Sequence, residues 1–433
     1  MKFFLIIMIM ATCLLFPGCG QNQNISVKEE ELIPPQTTVL EFYSWQDEQK
    51  YMTQAIDAFM KENPDIRVNC HFIPTSEYGQ TISILHNTNE KAIDLFAESK
   101  PTVSATDIKK NYVLDITELY TEKENTPISY QEMLNKLKID DRLYMLPYRK
   151  STWAVYYNKD LFDQAGIPYP KDTWTWTEYT ELARRLTDTK DGRKTFGSIS
   201  FEVDSMWWRT PARTAGIENE MTEESLYYFK EAALWNYKMA YEYQAQPAYT
   251  DLTDVSSYDY ASRFLNGDIA MLYCGDWMIE ILAQQIKTKG IPFSYDIAPL
   301  PGMETGNCYM PVTTALLQIS SKSKHPREAL QLAEYLAGEE GARILAECGI
   351  QPAWDTMQIR QLLQNSDFAP EHIEYFLDYD MAVYTMPDER MEEALKVINH
   401  YVGQYLMKEM DLETAFKNIE SSLQERRLIQ NNE

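Results

Sequence analysis

Apolar positions along the chain recur with two different periods, in alternating blocks. Residues 39–45 (VLEFYSW) and 66–73 (IRVNCHFI) are rich in β-branched and aromatic side chains, which is typical of strands. Between them, apolar residues recur at helical spacing until Asn63-Pro64 ends the pattern. A strand, a helix and a strand of these lengths predict a βαβ unit, and therefore a parallel sheet flanked by helices.

The stretch from Leu143 to Leu186 combines a strand with two helices. Residues 152–157 predict a buried strand, and a helical turn that follows is closed by Gly166. Thr175 and Glu178 form a Thr-x-x-Glu capping box, after which apolar residues recur on one helical face as far as Leu186. These signals predict a strand followed by two helices in this region.

Length and charge limit the possible functions. A chain of 433 residues with 44% hydrophobic residues is too long for one compact domain, so we expect two. The net charge is 40 − 65 = −25, which argues against a nucleic-acid partner because phosphate backbones select basic surfaces. The aromatic content of 12% has two interpretations, larger core side chains or a site that stacks on sugar rings.

The N-terminus indicates export. Lys2 precedes an apolar run, residues 3–16, that is too short to span a bilayer permanently but suits a secretion signal. Gly18-Cys19 follows and resembles a bacterial lipobox, which implies that residues 1–18 are removed and that Cys19 is diacylated. An ordinary signal peptide with an incidental cysteine is the alternative. Residues 19–38 are polar, acidic and interrupted by Pro34-Pro35, which predicts a flexible tether.

The remaining cysteines and the histidines give no metal motif. Cys70, Cys274, Cys308 and Cys348 are far apart in or beside apolar segments, so we expect buried thiols, and a disulfide stays possible outside the cell. Neither CxxC nor HExxH occurs. We therefore predict no metal site and no cofactor.

Several segments together resemble a known family. They are TVLEFYSW at the start, LPYRKSTWAVYYNKDLFDQAGIPYPKDTWTWTE in the middle, YDYASRFLNGDIAMLYCGDW, and SKSKHPREALQLAEYLAGEEGAR. These are similar to segments of the family 1 extracellular solute-binding proteins, which capture substrates, mostly sugars, for ABC importers. The resemblance extends from about Val39 to the end of the chain. It implies an α/β fold of the type II periplasmic-binding-protein kind, with two lobes, each a helix-flanked sheet, joined by a hinge of several crossings.

The resemblance also implies a division of the chain. Residues 39–149 and 312–354 would form the N-terminal lobe, and residues 150–311 and 355–433 the C-terminal lobe. Two rigid lobes that close about a few hinge residues suit reversible capture of a ligand at the seam. The expected partners are a carbohydrate, the permease of an ABC transporter and, through Cys19, the outer face of the cell membrane. We expect a monomer.

Candidate ligand-binding residues are aromatic and acidic, because sugars present apolar ring faces and hydroxyl edges. Trp45 and Asp47 lie at the carboxyl end of a predicted strand, where open sheets bind ligands. Trp277 ends a motif whose terminal Trp stacks on a sugar in many members of the family, an assignment that only the motif match supports. The full set is Trp45, Asp47, Trp207, Asp276, Trp277 and Trp354.

Two other classes of function stay open. Asp47 and Glu48 beside Trp45 could mimic the carboxyl pair of a glycosidase, although adjacent residues diverge in direction and one of the two is expected to be solvated. A binding protein for a non-sugar solute, such as a peptide, a polyamine or a phosphate ester, is the other. We expect no enzyme, since the sequence carries neither a Gly-rich phosphate loop nor a Gly-x-Ser-x-Gly elbow.

Overall fold

The structure is a computed structural model. It describes residues 37–88, 93–190, 192–199, 206–217, 221–251, 257–290, 293–366 and 369–429, without the side chains of residues 206, 207, 257, 258 and 289. The predicted signal peptide, the lipidation residue Cys19 and all but the last two residues of the predicted tether (19–38) lie outside the described residues. None of the helices within the described ranges is long and apolar enough to cross a membrane.

The first part of the chain alternates strands and helices, as the βαβ pattern predicts. Its elements are β1 (Thr38–Trp45), α1 (Gln49–Glu62), β2 (Ile66–Ile73), α2 (Thr75–Asn87), β3 (Leu95–Glu98), α3 (Pro101–Lys109), α4 (Ile128–Lys136) and β4 (Met145–Ser151). β1 pairs with β2 in parallel, from Thr38 opposite Ile66 to Trp45 opposite Ile73. The predicted parallel sheet is therefore confirmed, and β2 has the predicted bounds.

The middle of the chain builds the second lobe. Its elements are β5 (Trp153–Asn158), α5 (Lys159–Ala165), α6 (Trp176–Leu186), β6 (Asp188–Lys190), β7 (Arg193–Thr195), α7 (Thr210–Thr214), α8 (Glu223–Tyr237), α9 (Ser257–Leu265), β8 (Met271–Gly275), α10 (Met278–Lys289) and β9 (Tyr295–Ala298). The Thr175 capping box forms with both of its hydrogen bonds, and Gly166 ends α5 with φ 63°. Residues 196–199 after β7 form no strand, and Phe196 makes an isolated bridge with Ile269.

The last part of the chain returns to the first lobe and then to the second. It contains β10 (Met310–Ile319), α11 (Pro326–Ala337), α12 (Glu339–Glu347), α13 (Met357–Gln364), α14 (Glu374–Leu377), β11 (Ala382–Tyr384), α15 (Glu389–Leu406) and α16 (Leu412–Glu425). The two tail helices, α15 and α16, pack on each other and on α8, and α15 also contacts α3 of the first lobe. Their shared core with α8 includes Trp208, which is fully buried.

Two main sheets correspond to the two lobes. The larger sheet has the order β11-β10-β3-β1-β2, with β4 also paired to β10, and the smaller one has the order β8-β5-β9. In the smaller sheet β5 is antiparallel to both neighbours. A small hairpin, β6-β7, lies apart from both.

Three segments cross between the lobes. β4 leads into β5 at residue 152, β10 enters the larger sheet, and residues 351–353 run beside β4, with an Arg149–Pro352 bridge and an Ala353 N–H donated to the Tyr148 carbonyl at 3.1 Å. The predicted boundaries 149/150 and 311/312 fall inside β4 and β10, and 354/355 falls just before α13. A boundary at those residues stays a prediction.

Candidate functional site

The carboxyl end of β1 carries a buried carboxylate. β1 ends at Trp45, and a single 3-10 turn, Gln46–Glu48, connects it to α1. Glu48 is only 3% exposed and accepts three hydrogen bonds, from Ser44 Oγ at 2.6 Å, Tyr148 Oη at 2.6 Å and Arg149 Nε at 2.8 Å. Glu48 is therefore neither solvated nor free to act on a ligand in this arrangement.

A bulge in β4 explains why Tyr148 and Arg149 both reach Glu48. The pairing of β4 with β10 shifts register between Ala315, opposite Arg149, and Leu316, opposite Pro147, so Tyr148 is the extra residue. Consecutive strand residues normally point to opposite faces, and a bulge re-aims one of them. The hydroxyl and the guanidinium can thus bind the same carboxylate.

The second lobe contributes Asp276 and Trp277 between β8 and α10. The carboxyl of Asp276 is buried, it interacts with the Ser151 hydroxyl, the Gln351 backbone and the charge of Arg149, and its Oδ1 has no hydrogen-bond partner among the described residues. Burial raises the pKa of Asp276 to about 6, although these neighbours act to lower it. Asp276 therefore holds an unused acceptor at the place where the second lobe meets the hinge.

Trp277 packs over the end of its own strand. Its ring stands edge-on to Trp153 with centroids 5.1 Å apart, and it is partly exposed. A Cβ at Gly275 would lie 1.7 Å from Cζ3 of the Trp277 ring, so only glycine allows this position. The absence of a side chain at Gly275 thus makes room for the Trp277 ring.

Direct contacts join the two lobes at the rims. Lys50 Nζ lies 3.3 Å from Glu280, and Lys109 Nζ lies 2.7 Å from Glu389. Thr102 Oγ1 donates to Glu392 Oε2 at 2.7 Å, which connects α3 to α15. The lobes are thus in contact between α1 and α10 and between α3 and α15.

The other predicted residues lie in different surroundings. Trp45 is 8% exposed and packs on Tyr78, with ring centroids 4.9 Å apart. Asp47 is exposed and accepts a hydrogen bond from Thr75 Oγ1 at 3.3 Å. Trp354 is 4% exposed and packs on Tyr130 inside the first lobe, so the structure does not bring it together with Trp277. The Trp207 side chain lies outside the described residues.

Arg149, Ser151 and Glu98 belong to this region and were not predicted from the sequence. Glu98 ends β3 and accepts N–H bonds from Ser99 at 2.8 Å and Lys100 at 2.9 Å, and burial raises its pKa to about 7. The end of a parallel strand was a usable signal for Glu98. For Arg149 no local signal exists, because its partners are distant in sequence.

The opposite face of the hinge contains a second group of charges. Lys150 Nζ lies 2.6 Å from Asp355, which also receives Arg360 Nε at 2.7 Å and Nη2 at 2.9 Å. Burial acts to raise the pKa of Asp355, yet these two cations hold it below its ordinary value. A cavity of about 390 Å³ adjoins them, walled by Met133 of α4 and by Tyr379 and Tyr384.

One group of possible metal ligands occurs within the described ranges. Oxygen and nitrogen atoms of Asp296, Glu371 and His372 lie within 4.8 Å of one another. Asp296 Oδ2 is 2.6 Å from His372 Nδ1, and Glu371 is 3.3 Å from Lys159. Each ligand atom thus already has a protein partner, and the arrangement is that of ion pairs which fasten the segment before α14.

The four described cysteines are free thiols. Cys274 and Cys348 are buried, and Cys70 and Cys308 are partly buried. Burial raises the pKa of Cys70 and of Cys308 to about 11. The expectation of buried thiols therefore holds for Cys274 and Cys348 and in part for the other two.

The sequence of this chain matches a family of known proteins. The model of the bacterial extracellular solute-binding proteins matches residues 44–343. A galactooligosaccharide-binding protein of Bacillus subtilis is 23% identical over 77% of this chain and 76% of its own, and a multiple sugar-binding protein of Streptococcus mutans is 20% identical over 75% and 76%.

Solved structures confirm the fold. An ABC substrate-binding protein of Listeria monocytogenes, determined with cycloalternan, superimposes with a TM-score of 0.77 at 21% identity, over 91% of this chain and all of that one. The maltose-bound MalE3 of Thermotoga maritima gives a TM-score of 0.73 at 18% identity, over 90% and 99%. The predicted two-lobed fold of the type II binding proteins is therefore confirmed.

Proposed function

Because this chain belongs to the bacterial extracellular solute-binding protein family, we propose that it captures a carbohydrate, of oligosaccharide size, between its lobes and delivers it to an ABC permease. The observation that supports this most strongly is the pairing of a partly exposed indole, Trp277, with a buried carboxylate, Asp276, that has an unused oxygen. An indole stacks on the apolar face of a sugar ring, and a carboxylate accepts from its hydroxyl edge.

The sugar class is also supported by the relatives. Among them are proteins named for galactooligosaccharides and for multiple sugars, and structures determined with cycloalternan and with maltose. Within the proposed site, Trp277 and Asp276 contact the ligand from the second lobe and Asp47 from the first. Trp207 stays in the proposed site on the sequence alone, while Trp45 and Trp354, which are buried, support the first lobe by packing.

A thermal-shift screen tests the proposal. The chain from Gln36 is mixed with maltotriose, mannotriose or galactotriose, and with putrescine and a tripeptide as non-sugar solutes. A ligand at 100 times its Kd should raise the unfolding free energy by about 2.7 kcal/mol. The Trp277→Ala variant should lose the shift. Stabilisation by putrescine or by the peptide, and by no sugar, would replace the carbohydrate proposal with the non-sugar one.

We also propose that the protein binds its carbohydrate without hydrolysing it. A glycosidase needs two carboxyls at a set separation, one of them a free acid or base. Glu48 is held by three donors, and its neighbour Asp47 is exposed. Chromatography of the best-binding glycan after incubation should return it unchanged. Turnover that disappears in Asp47→Asn would establish the enzyme instead.

We also propose that a lipid on Cys19 anchors the protein on the outer face of the membrane. The support is the apolar run followed by Gly18-Cys19 and a polar tether. Cys19→Ser should leave an uncleaved precursor in the producing bacterium. If that variant is processed and partitions into detergent as the unaltered protein does, the anchor is wrong.

A further inference from the structure

One polar chain runs through the hinge from lobe to lobe. It begins at Glu48 in the first lobe, continues through the guanidinium of Arg149 and the hydroxyl of Ser151 on β4, and ends at Asp276 in the second lobe. Arg149 Nε donates to Glu48 Oε1 at 2.8 Å, and Arg149 Nη1 donates to Ser151 Oγ at 3.1 Å. Ser151 in turn lies beside the Asp276 carboxyl and acts to favour its charged form, and the Asp276 N–H donates to the carbonyl of the next residue, Thr152, at 3.1 Å.

The charges around Arg149 come from both lobes. Glu48, Tyr51 and Tyr148 face it from the first lobe, and Asp276 faces it from the second. Around Asp276 lie Arg149, the Ser151 hydroxyl and the Gln351 backbone. The guanidinium is suited to this position, because its planar fork can serve two acceptors at once, whereas an ammonium acts as a single point charge.

We propose that Arg149 is a positioning residue for ligand capture: it links Glu48 to Ser151 and Asp276, so that closing the lobes aligns the two halves of the site around one side chain. The proposal rests on the proposed function for its ligand, but not for its geometry. Asp276 is joined to the hinge by its N–H, which donates to the Thr152 carbonyl, so rotation of the second lobe about this point changes the position of its carboxyl relative to Arg149. Closure and the alignment of Asp276 are therefore the same event.

Affinity is the first readout. Arg149→Gln should weaken binding of the best glycan from the trisaccharide panel about tenfold or more, because truncating one member of a buried, hydrogen-bonded charge pair mainly speeds release. Arg149→Lys keeps the charge and should recover part of the loss. Ser151→Ala cuts the chain at its middle and should give an intermediate loss even if Arg149→Gln fails to fold.

Lys150→Gln is the matched control. Lys150 is the next residue of β4, its side chain is 6% exposed against 15% for Arg149, and it pairs with Asp355 on the other face of the hinge. Its removal should lower stability and leave glycan affinity within about twofold of that of the unaltered protein. An equal loss of affinity in Lys150→Gln would mean that any hinge defect weakens binding, and would overturn the proposal.

The pH profile separates positioning from a general defect. Calorimetry with the same trisaccharide between about pH 5 and pH 8 should show a transition that disappears in Asp276→Asn. In Arg149→Gln the midpoint should move to higher pH, since Asp276 loses the cation that favours its charged form. A structural role for Arg149 alone would change affinity without moving the midpoint.

Small-angle scattering without ligand keeps the two proposals distinguishable. The unaltered protein should be more compact than Arg149→Gln at pH 7, because the link between the lobes is lost. If no trisaccharide binds but this difference appears, the sugar proposal fails and the positioning role stands. If a trisaccharide binds both proteins equally with the same pH midpoint, the positioning role is wrong and the proposed function is untouched.

Discussion

Two faces of the same hinge strand carry buried cations with different degrees of pairing. On one face Lys150 and Arg360 surround Asp355 with three contacts of 2.6–2.9 Å. On the other, Arg149 pairs with Glu48, while Asp276 keeps an acceptor that no described residue uses. The two cations are neighbours in sequence, so the chain separates these roles by the alternation of a strand.

The difference appears in the carboxyl groups. The pKa of Asp355 is held below its ordinary value by its two cations, whereas burial raises the pKa of Asp276 to about 6. A carboxylate whose lone pairs are all taken by protein donors fixes a structure. A carboxylate that is buried with an unused lone pair has lost its water without gaining a hydrogen bond in exchange. A ligand hydroxyl can donate that missing hydrogen bond.

The largest expected effect is on the fully paired face. Asp355→Ala leaves Lys150, whose side chain is 6% exposed, without its anion. Breaking a buried pair from one side typically costs about 3–5 kcal/mol. Urea unfolding monitored by tryptophan fluorescence should show a loss of this size, and glycan affinity should remain. A loss below about 1 kcal/mol would mean that the Asp355 ion pairs contribute no more than exposed pairs do, and that the structural role assigned to this face is wrong.

Two tryptophans sharpen the comparison. Trp354→Ala removes a ring buried against Tyr130 and should cost about 3–5 kcal/mol of folding free energy whether or not sugar is present. Trp277→Ala removes a partly exposed ring and should cost about 2–4 kcal/mol of binding with a smaller loss of stability. Denaturant melts and calorimetry on both variants give the test. The reverse pattern would move the site to Trp354.

The sequence predicted the elements well where the signals are local. The parallel β1-α1-β2 unit follows from periodicity, the start of α6 from its capping box, and the end of α5 from Gly166, which adopts φ 63°. Each of these depends on residues within about one helical turn. Asp276 and Trp277 could be selected because a motif marks the end of β8.

The site could not be completed from sequence because its remaining contacts are distant. One of Asp47 and Glu48 was expected to be solvated, but the sequence does not show that Glu48 is buried, because its partners Tyr148 and Arg149 lie about 100 residues away and reach it through a bulge in β4. Trp354 looked like a site residue by position, and the side to which its ring turns depends on how α4 and α11 pack. Register and packing direction are properties of the whole fold.

A smaller effect concerns the pH dependence of stability. The pKa of Asp276 is higher in the folded protein, about 6, than its ordinary 3.8. Its proton therefore stabilises the fold in acid, and this contribution is lost as the pH rises from about 4 to 6. Asp276→Asn should be more stable than the unaltered protein at pH 7, by up to about 2–3 kcal/mol, and should lose this advantage near pH 4. Thermal melts of both proteins between about pH 4 and pH 7 give the test. If the stability difference between them does not change with pH, the buried charge of Asp276 is not its cause.

The smallest effect is expected at the rim of the lobes. Lys109 and Glu389 lie 2.7 Å apart, but their side chains are 71% and 39% exposed. Exposed pairs gain little because water and salt screen them, so Lys109→Gln should leave melting temperature and glycan affinity unchanged within error. Thr102→Ala is the matched change on the same helix, about two turns from Lys109. There a buried hydroxyl donates to Glu392 across the same contact between the lobes. Thr102→Ala should weaken binding measurably, because the Thr102–Glu392 hydrogen bond forms only when the lobes are closed, and its loss therefore destabilises the closed state alone. If Lys109→Gln weakens binding more than Thr102→Ala does, the exposed pairs hold the lobes together and the hinge strand does not.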